Sequence, residues 1–235
     1  MPSFKPSIDP AVFAIAPGFR ALSITLEAAP ILHPEVAEQA LQRACAALLA
    51  GEPAWGDAHL AAWAEVFRRF GAKPQRTPCS AEALRKRALR DGSLPSIDPV
   101  VDLYNAISVQ FAIPVGGENL AAYAGSPRLV IADGSETFDT MKDGAPAHES
   151  PDVGEVIWRD ELGVTCRRWN WRQGVRTRLD AEAQRMWFIL ESLPEMPLEA
   201  LREAGDRLVA GLQAMMPGAR AETLLVECRS QAVTA

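Results

Sequence analysis

The chain has 235 residues, 48% of them hydrophobic, enough to bury a core, and no apolar run approaches the roughly 20 residues that span a bilayer. The first residues lack a secretory apolar segment, and Cys45, Cys79, Cys166 and Cys228 show no CxxC or metal-ligand spacing, so a cytoplasmic protein with reduced thiols, no metal and no other cofactor is expected. The net charge is −6, yet residues 76–90 and 159–178 together carry +8 and leave −14 to the rest: a basic face that meets phosphate, or a set of surface ion pairs with the acidic body.

In chain order, residues 21–26 alternate like a strand after the Ala-Pro-Gly turn at 16–18. Val36, Leu41, Cys45 and Leu48 recur at helical spacing over 34–50, with Gly51 as the stop. A second helix is predicted over 58–70, with Leu60, Trp63, Val66, Phe67 and Phe70 on one stripe and Gly71 at its end. Residues 72–79 read as a connector, after which Ser80 caps a basic helix reaching Arg90, docked on one side and wet on the other.

Asp98 and Pro99 start the next helix, with Val101, Tyr104, Ser108 and Phe111 as its inward stripe, and Pro114, Gly116 and Gly117 end it in an open loop. Strands follow at 128–132, 154–159 and 163–169, the last two joined as a hairpin through Asp160 to Gly163. Residues 133–153 read as a Gly/Pro/Asp-rich loop, 181–192 and 197–216 as helices, and 223–228 as a final strand. Helices, then sheet, then helices again give the class α+β, with an N-terminal α/β extension over 1–75 packed on a core over 76–235.

Two stretches mix apolar residues with side chains that bind or orient. One is Leu94-Pro-Ser-Ile-Asp-Pro-Val-Val-Asp-Leu-Tyr-Asn-Ala106; the other is Gly154-Glu-Val-Ile-Trp-Arg-Asp160 leading into Cys166-Arg-Arg-Trp-Asn-Trp-Arg-Gln173. With Ile113-Pro-Val-Gly-Gly117, they resemble the B3/B4 domain of the phenylalanyl-tRNA synthetase β subunit over residues 77–190, and the whole chain is similar to the freestanding B3/B4 proteins of bacteria. The resemblance implies a fold of mixed β layers flanked by helices and a site that hydrolyses wrongly charged aminoacyl-tRNA. Val101, Asp102 and Asn105 match the synthetase pattern, whereas Tyr104 stands where it has threonine and Gly116 where it has histidine.

The expected catalytic set is Asp102, Asn105 and the backbone of Gly116 and Gly117. Asp102 and Asn105 either bind the α-ammonium and carbonyl of an aminoacyl group or cap local backbone, and the glycine pair either brings N–H groups to a carbonyl or simply turns the chain. Tyr104, Glu118, Asp160, Arg167, Arg168, Asn170 and Arg172 are expected to bind substrate, and Arg76, Arg85, Lys86, Arg87 and Arg90 to bind tRNA near its acceptor end. At least one of Arg167 and Arg168 should point inward and find a carboxylate, with Glu155 and Asp160 as candidates. Trp169 and Trp171 share a face and read as core or as a base-stacking platform, Cys166 as an inert thiol, and among His33, His59 and His148 only His148 invites a test.

The leading expectation is a trans-acting editing factor, an aminoacyl-tRNA deacylase that acts on mischarged tRNA without membrane or metal. The alternatives are a tRNA- or RNA-binding module without hydrolysis and a small-molecule amino-acid binder using the same pocket.

Overall fold

The computed structural model describes residues 4–180 and 182–227; Ala181 and Cys228, part of the helix and final strand expected above, lie outside them. In chain order the elements are β1 (Ser7–Ile8), α1 (Pro10–Ile15), β2 (Arg20–Glu27), α2 (Glu35–Leu49), α3 (Gly56–Arg69), α4 (Ser80–Asp91), α5 (Pro99–Phe111), β3 (Val115–Asn119), β4 (Arg128–Ile131), β5 (Phe138–Lys142), β6 (Ala145–Glu149), β7 (Val156–Arg159), β8 (Val164–Arg167), β9 (Arg172–Gln173), β10 (Arg185–Ser192), α6 (Leu198–Met215) and β11 (Arg220–Glu227). The fold is α+β, with mixed sheets flanked by helices.

A four-stranded antiparallel sheet ordered β11-β2-β10-β3 forms the middle layer. Alternation along its strands sends Leu22, Ile24, Met186, Phe188 and Leu190 into a cluster with α5 and α6, and Ala21, Trp187 and Ile189 into a second cluster with Trp63, Val66 and Phe67 of α3. That second cluster also takes Leu129, Val156 and Trp158 from the seven-stranded sheet ordered β1-β4-β7-β8-β5-β6, with β9 on β8, and Trp169 from the turn after β8. Tertiary packing of this kind, rather than local propensity, decides the first correction. Residues 182–192 of the expected helix are not helical; Arg185–Ser192 is a strand buried on both faces, which removes the polar alternation a strand would otherwise show.

Two stretches read as loops are strands. Val115–Asn119 pairs with β10, so the glycine pair lies in a sheet edge and not in an open turn. Within 133–153, β5 and β6 form a hairpin through Asp143 and Gly144, whose φ values of 52° and 79° are the left-handed pair that a two-residue turn requires. Helix α5 is capped as expected by Asp98, which accepts from Val100 N at 2.9 Å, but its buried stripe is Val100, Leu103, Ile107 and Phe111, with Val101 and Tyr104 only half-buried. Helix α4 begins one residue earlier than Ser80 implied: Cys79 is its N-cap and Ser80 its first helical residue.

Strand β2, from the N-terminal part of the chain, runs between β11 and β10, so that part supplies an interior strand of the middle layer. Among the described residues no helix is long and apolar enough to cross a membrane, and no group of three or more His, Cys, Asp and Glu side chains could hold a metal ion.

Candidate functional site

Helix α5, edge strand β3, the turn after β8 and strand β10 converge on a cavity of about 300 Å³. Tyr104 and Asn105 enter it from α5, Gly116, Gly117 and Glu118 from β3, Asn170, Trp171, Arg172 and Gln173 from the turn and β9, and Trp187, Ile189 and Glu191 from β10. Ser80, Ala83 and Leu84 of α4 close one side. The two sequence stretches that mixed apolar and binding side chains therefore meet at one concavity, although 47 residues separate Ala106 from Gly154.

The turn after β8 is built by backbone that few residues adopt. Arg168 and Trp169 have φ values of 47° and 65°, which breaks the strand alternation. Trp169 and Trp171 both line the cavity but sit at different depths. Trp169 is fully buried against Phe19 and Trp63, while Trp171 lies at the cavity wall with the Arg168 guanidinium 4.6 Å from its ring centroid.

Two buried carboxyl groups dominate the cavity. Glu191 accepts from Trp158 Nε1 at 2.8 Å, Trp169 Nε1 at 3.1 Å and Asn170 Nδ2 at 3.0 Å. Burial raises its pKa to about 7 against the pull of those three donors. Glu118 accepts at Oε1 from Thr177 Oγ1 at 3.0 Å and Gln173 Nε2 at 3.1 Å, and burial raises its pKa to about 8. Among the described residues neither acid has an ion-pair partner. Burial, and then the neighbouring Glu118 and Glu191, push the Cys166 thiol well above its ordinary value, so no thiolate nucleophile is available there. Burial likewise moves Tyr104 up to about 12 and keeps it a neutral phenol.

The glycine pair divides its work. Glu191 N donates to Pro114 O at 3.0 Å, and the alternation of an antiparallel ladder then directs Gly116 N–H at β10 and Gly117 N–H away from it. The Gly117 carbonyl, on that same free side, accepts from Gln173 Nε2 at 2.9 Å. A Cβ on Gly117 would stand 2.8 Å from Tyr104 Cε1 and 3.1 Å from Phe188 Cε1, so this glycine also lets the Tyr104 ring pack.

Several residues expected at the site lie elsewhere. Asp102 is turned to the loop before α5, where it accepts from Ser96 Oγ and from Ile97 N at 2.8 Å. Residues three apart on a helix are offset by only about 60°, yet the Ser96 and Ile97 donors draw Asp102 to that loop while Asn105 lines the cavity. Asp160 pins the β7–β8 hairpin: it accepts from the backbone N–H of Ala124, Leu162 and Gly163 and from both terminal nitrogens of Arg176 at 2.9 and 2.8 Å. Burial alone would raise its pKa, but Arg176 and these N–H donors hold it below the ordinary value.

Arg167 is the inward arginine of its pair, donating to Glu155 at 3.0 and 2.8 Å and to Glu149 at 3.0 Å, remote from the cavity wall. Arg168 reaches Asp152 and Glu155 at 3.7 Å. On α4, Arg85 is only 6% exposed and donates to Val109 O at 2.7 Å and Glu52 O at 3.2 Å, so it braces the fold and leaves the surface to Lys86, Arg87 and Arg90. Those three pair with Glu82 and Asp91, and Arg76 is exposed on the preceding connector. His59, 0% exposed, is held between Ala112 O and Leu193 N at 2.8 and 3.0 Å, and burial lowers its pKa to about 4; His148 is exposed on β6.

Glu191, Trp158, Gln173 and Trp187 were not singled out from the sequence. A signal existed: once 185–192 is a strand, Glu191 falls on the same face as Trp187 and Ile189, an acid among buried apolar residues that must find donors.

A family model described as the B3/4 domain matches residues 62–205. Among solved structures the chain is similar to an N-terminal fragment of the phenylalanyl-tRNA synthetase beta-subunit from Pyrococcus horikoshii, with a TM-score of 0.50 and 8% identity. That alignment covers 97% of this chain and 57% of the fragment, and at such identity it is a likeness of fold. A comparison with curated proteins gave no match. The family match begins within α3, so β2 and α2 precede it.

Proposed function

The chain belongs to the B3/4 domain family, and from that premise we propose that it is a trans-acting editing factor that binds the acceptor end of tRNA and hydrolyses the ester of a mischarged aminoacyl group. The observation that carries this reading is the single cavity into which α5, the β3 glycine pair and the tryptophan-flanked turn all open. Its size suits one amino-acid side chain and its ester, and α4 runs from the cavity wall at Ser80, Ala83 and Leu84 to the exposed cations Lys86, Arg87 and Arg90. An acceptor stem laid along α4 would bring its 3′ end to the opening.

In this reading water adds to the ester carbonyl, the acyl–oxygen bond breaks, and the ribose hydroxyl of the tRNA leaves with a proton. Aminoacyl esters are activated, so holding ester and water in attack geometry supplies much of the acceleration. The Asn105 carboxamide and the Gly117 N–H are the donors for the developing oxyanion; one such donor is typically worth about 10²–10³ in rate. Tyr104, Trp158, Trp171 and Trp187 wall the acyl group from bulk water.

A second reading, a tRNA-binding module without turnover, is favoured by one observation: among the described residues no histidine lines the cavity. Incubating purified protein with a panel of mischarged tRNAs and scoring amino-acid release separates the two. Release from at least one mischarged tRNA above the spontaneous rate supports editing; salt-sensitive tRNA binding with every ester intact replaces it with the second reading.

A further inference from the structure

Glu118 differs from every other buried acid of the cavity region in what it leaves open. Glu155 and Asp160 are ion-paired, and both oxygens of Glu191 accept hydrogen bonds. Glu118 is 4% exposed and lines the cavity, yet only its Oε1 is engaged; Oε2 accepts from none of the described residues. Oε2 therefore keeps its acceptor capacity for a donor that a ligand brings into the cavity. The surroundings define that donor. Tyr104, Trp158, Trp171 and Trp187 present aromatic surface to the same cavity, and aromatic rings beside a carboxylate are a setting for an organic cation. Among the described residues the one guanidinium lining the cavity, that of Arg172, lies 5.9 Å from the Trp171 ring centroid and reaches Met141 O at 3.4 Å, and makes no ion pair with Glu118.

We infer that Glu118 anchors a primary ammonium group of the ligand, so that the cavity selects acyl groups by a positive charge as well as by shape. This deepens the editing reading and rests on its assignment of the cavity to the aminoacyl group. The ammonium has two sources, the α-amino group of any aminoacyl ester or the terminal ammonium of a basic side chain, and four small amides tell them apart. L-lysinamide carries both ammonium groups, Nα-acetyl-L-lysinamide only the terminal one, L-norleucinamide only the α one, and Nα-acetyl-L-norleucinamide neither.

Titration calorimetry on the full chain should show lysinamide binding at least tenfold more tightly than the doubly neutral amide. Whichever singly charged amide keeps that advantage identifies the group that Glu118 holds. Because the acid, raised by burial to about 8, is mostly protonated at pH 7, binding an ammonium should release close to one proton, visible as a heat that changes with the ionisation enthalpy of the buffer. In Glu118→Gln, which keeps an acceptor for Thr177 and Gln173, the tenfold preference should vanish; if that variant does not fold, the comparison of amides on the parent decides alone.

Equal affinity for charged and neutral amides, no binding of any amide, a buffer-independent heat, or a preference surviving in a folded Glu118→Gln would overturn the inference. Turnover of mischarged tRNA is scored separately. Hydrolysis without charge preference removes this inference and leaves editing standing, whereas charge preference without hydrolysis removes editing and leaves the role of Glu118.

Discussion

Replacing Glu191 with glutamine tests how the cavity holds its buried acids. The carboxyl is enclosed, accepts from two indoles and one carboxamide, and is raised by burial from its ordinary 4.5 to about 7. Between those values the native protein keeps a proton that the unfolded chain has released. The stability from this group is therefore full below about pH 4.5 and is lost as pH rises through about 7. A gap of about 2.5 units at ~1.4 kcal/mol each amounts to about 3 kcal/mol in total, of which about 2.5 kcal/mol falls between pH 5 and pH 8. Glutamine keeps the shape and does not titrate, and once the Asn170 carboxamide turns over its amide can donate to Asn170 Oδ1, a buried acceptor without a partner among the described residues. Urea unfolding followed by tryptophan fluorescence should find Glu191→Gln gaining about 2.5 kcal/mol on the parent between pH 5 and pH 8. The parent keeps a remaining slope from Glu118, and so does the variant. Profiles that run parallel within about 0.5 kcal/mol over that window would refute the reasoning.

Three further outcomes are expected. Arg167→Met strands Glu155 as a buried charge and should cost about 3–5 kcal/mol, most of it recovered in Arg167→Met/Glu155→Gln; a double-mutant cycle by chemical denaturation measures it, and an unchanged single variant would argue against the buried pair. Asn105→Ala should lower deacylation about 10²-fold while stability stays within about 1 kcal/mol, because Asn105 faces the cavity and makes no hydrogen bond to a described residue. Reversing Lys86, Arg87 and Arg90 to glutamate should weaken tRNA binding and flatten its salt dependence by about one unit of slope per lost phosphate contact, with melting preserved, whereas Arg85→Glu should destabilise the fold because its guanidinium serves two carbonyls.

The legible parts of the molecule were those where local chemistry and tertiary packing agree. Helix α5 is announced by Asp98 and Pro99, and the β7–β8 hairpin by two short β-branched and apolar runs joined through Asp160 and Gly163. Strand β10 was hidden because Met186 to Leu190 is apolar throughout; its period carries no sign of two buried faces when a helical layer and a second sheet enclose it. The β5–β6 hairpin was hidden for the opposite reason. Its edge strand β6, Ala145-Pro-Ala-His-Glu149, has no buried residue and a proline within it, so it lacks the alternation of a half-buried strand, although Asp143-Gly144 was a readable turn. At the site, Tyr104, Asn105, Gly116, Gly117, Glu118, Asn170 and Arg172 meet as a group, while Asp102, Asp160, Arg167 and Arg168 serve capping and ion pairs nearby. Sequence spacing cannot separate these two kinds of polar residue, because what distinguishes them is the left-handed turn at Arg168 and Trp169 and the loop before α5 that engages Asp102 but leaves Asn105 to the cavity.

The central claim, that this cavity receives the aminoacylated 3′ terminus, is tested most directly by the indole N–H resonances of the protein titrated with a 3′-aminoacylamino-adenosine, a stable amide mimic of that terminus. Trp158, Trp169, Trp171 and Trp187 line the cavity and Trp55, whose indole donates to Phe111 O at 3.2 Å, does not. The account requires saturable shifts of the cavity tryptophans with Trp55 unmoved. Saturable binding that leaves all four unperturbed, or no binding at all, would contradict it.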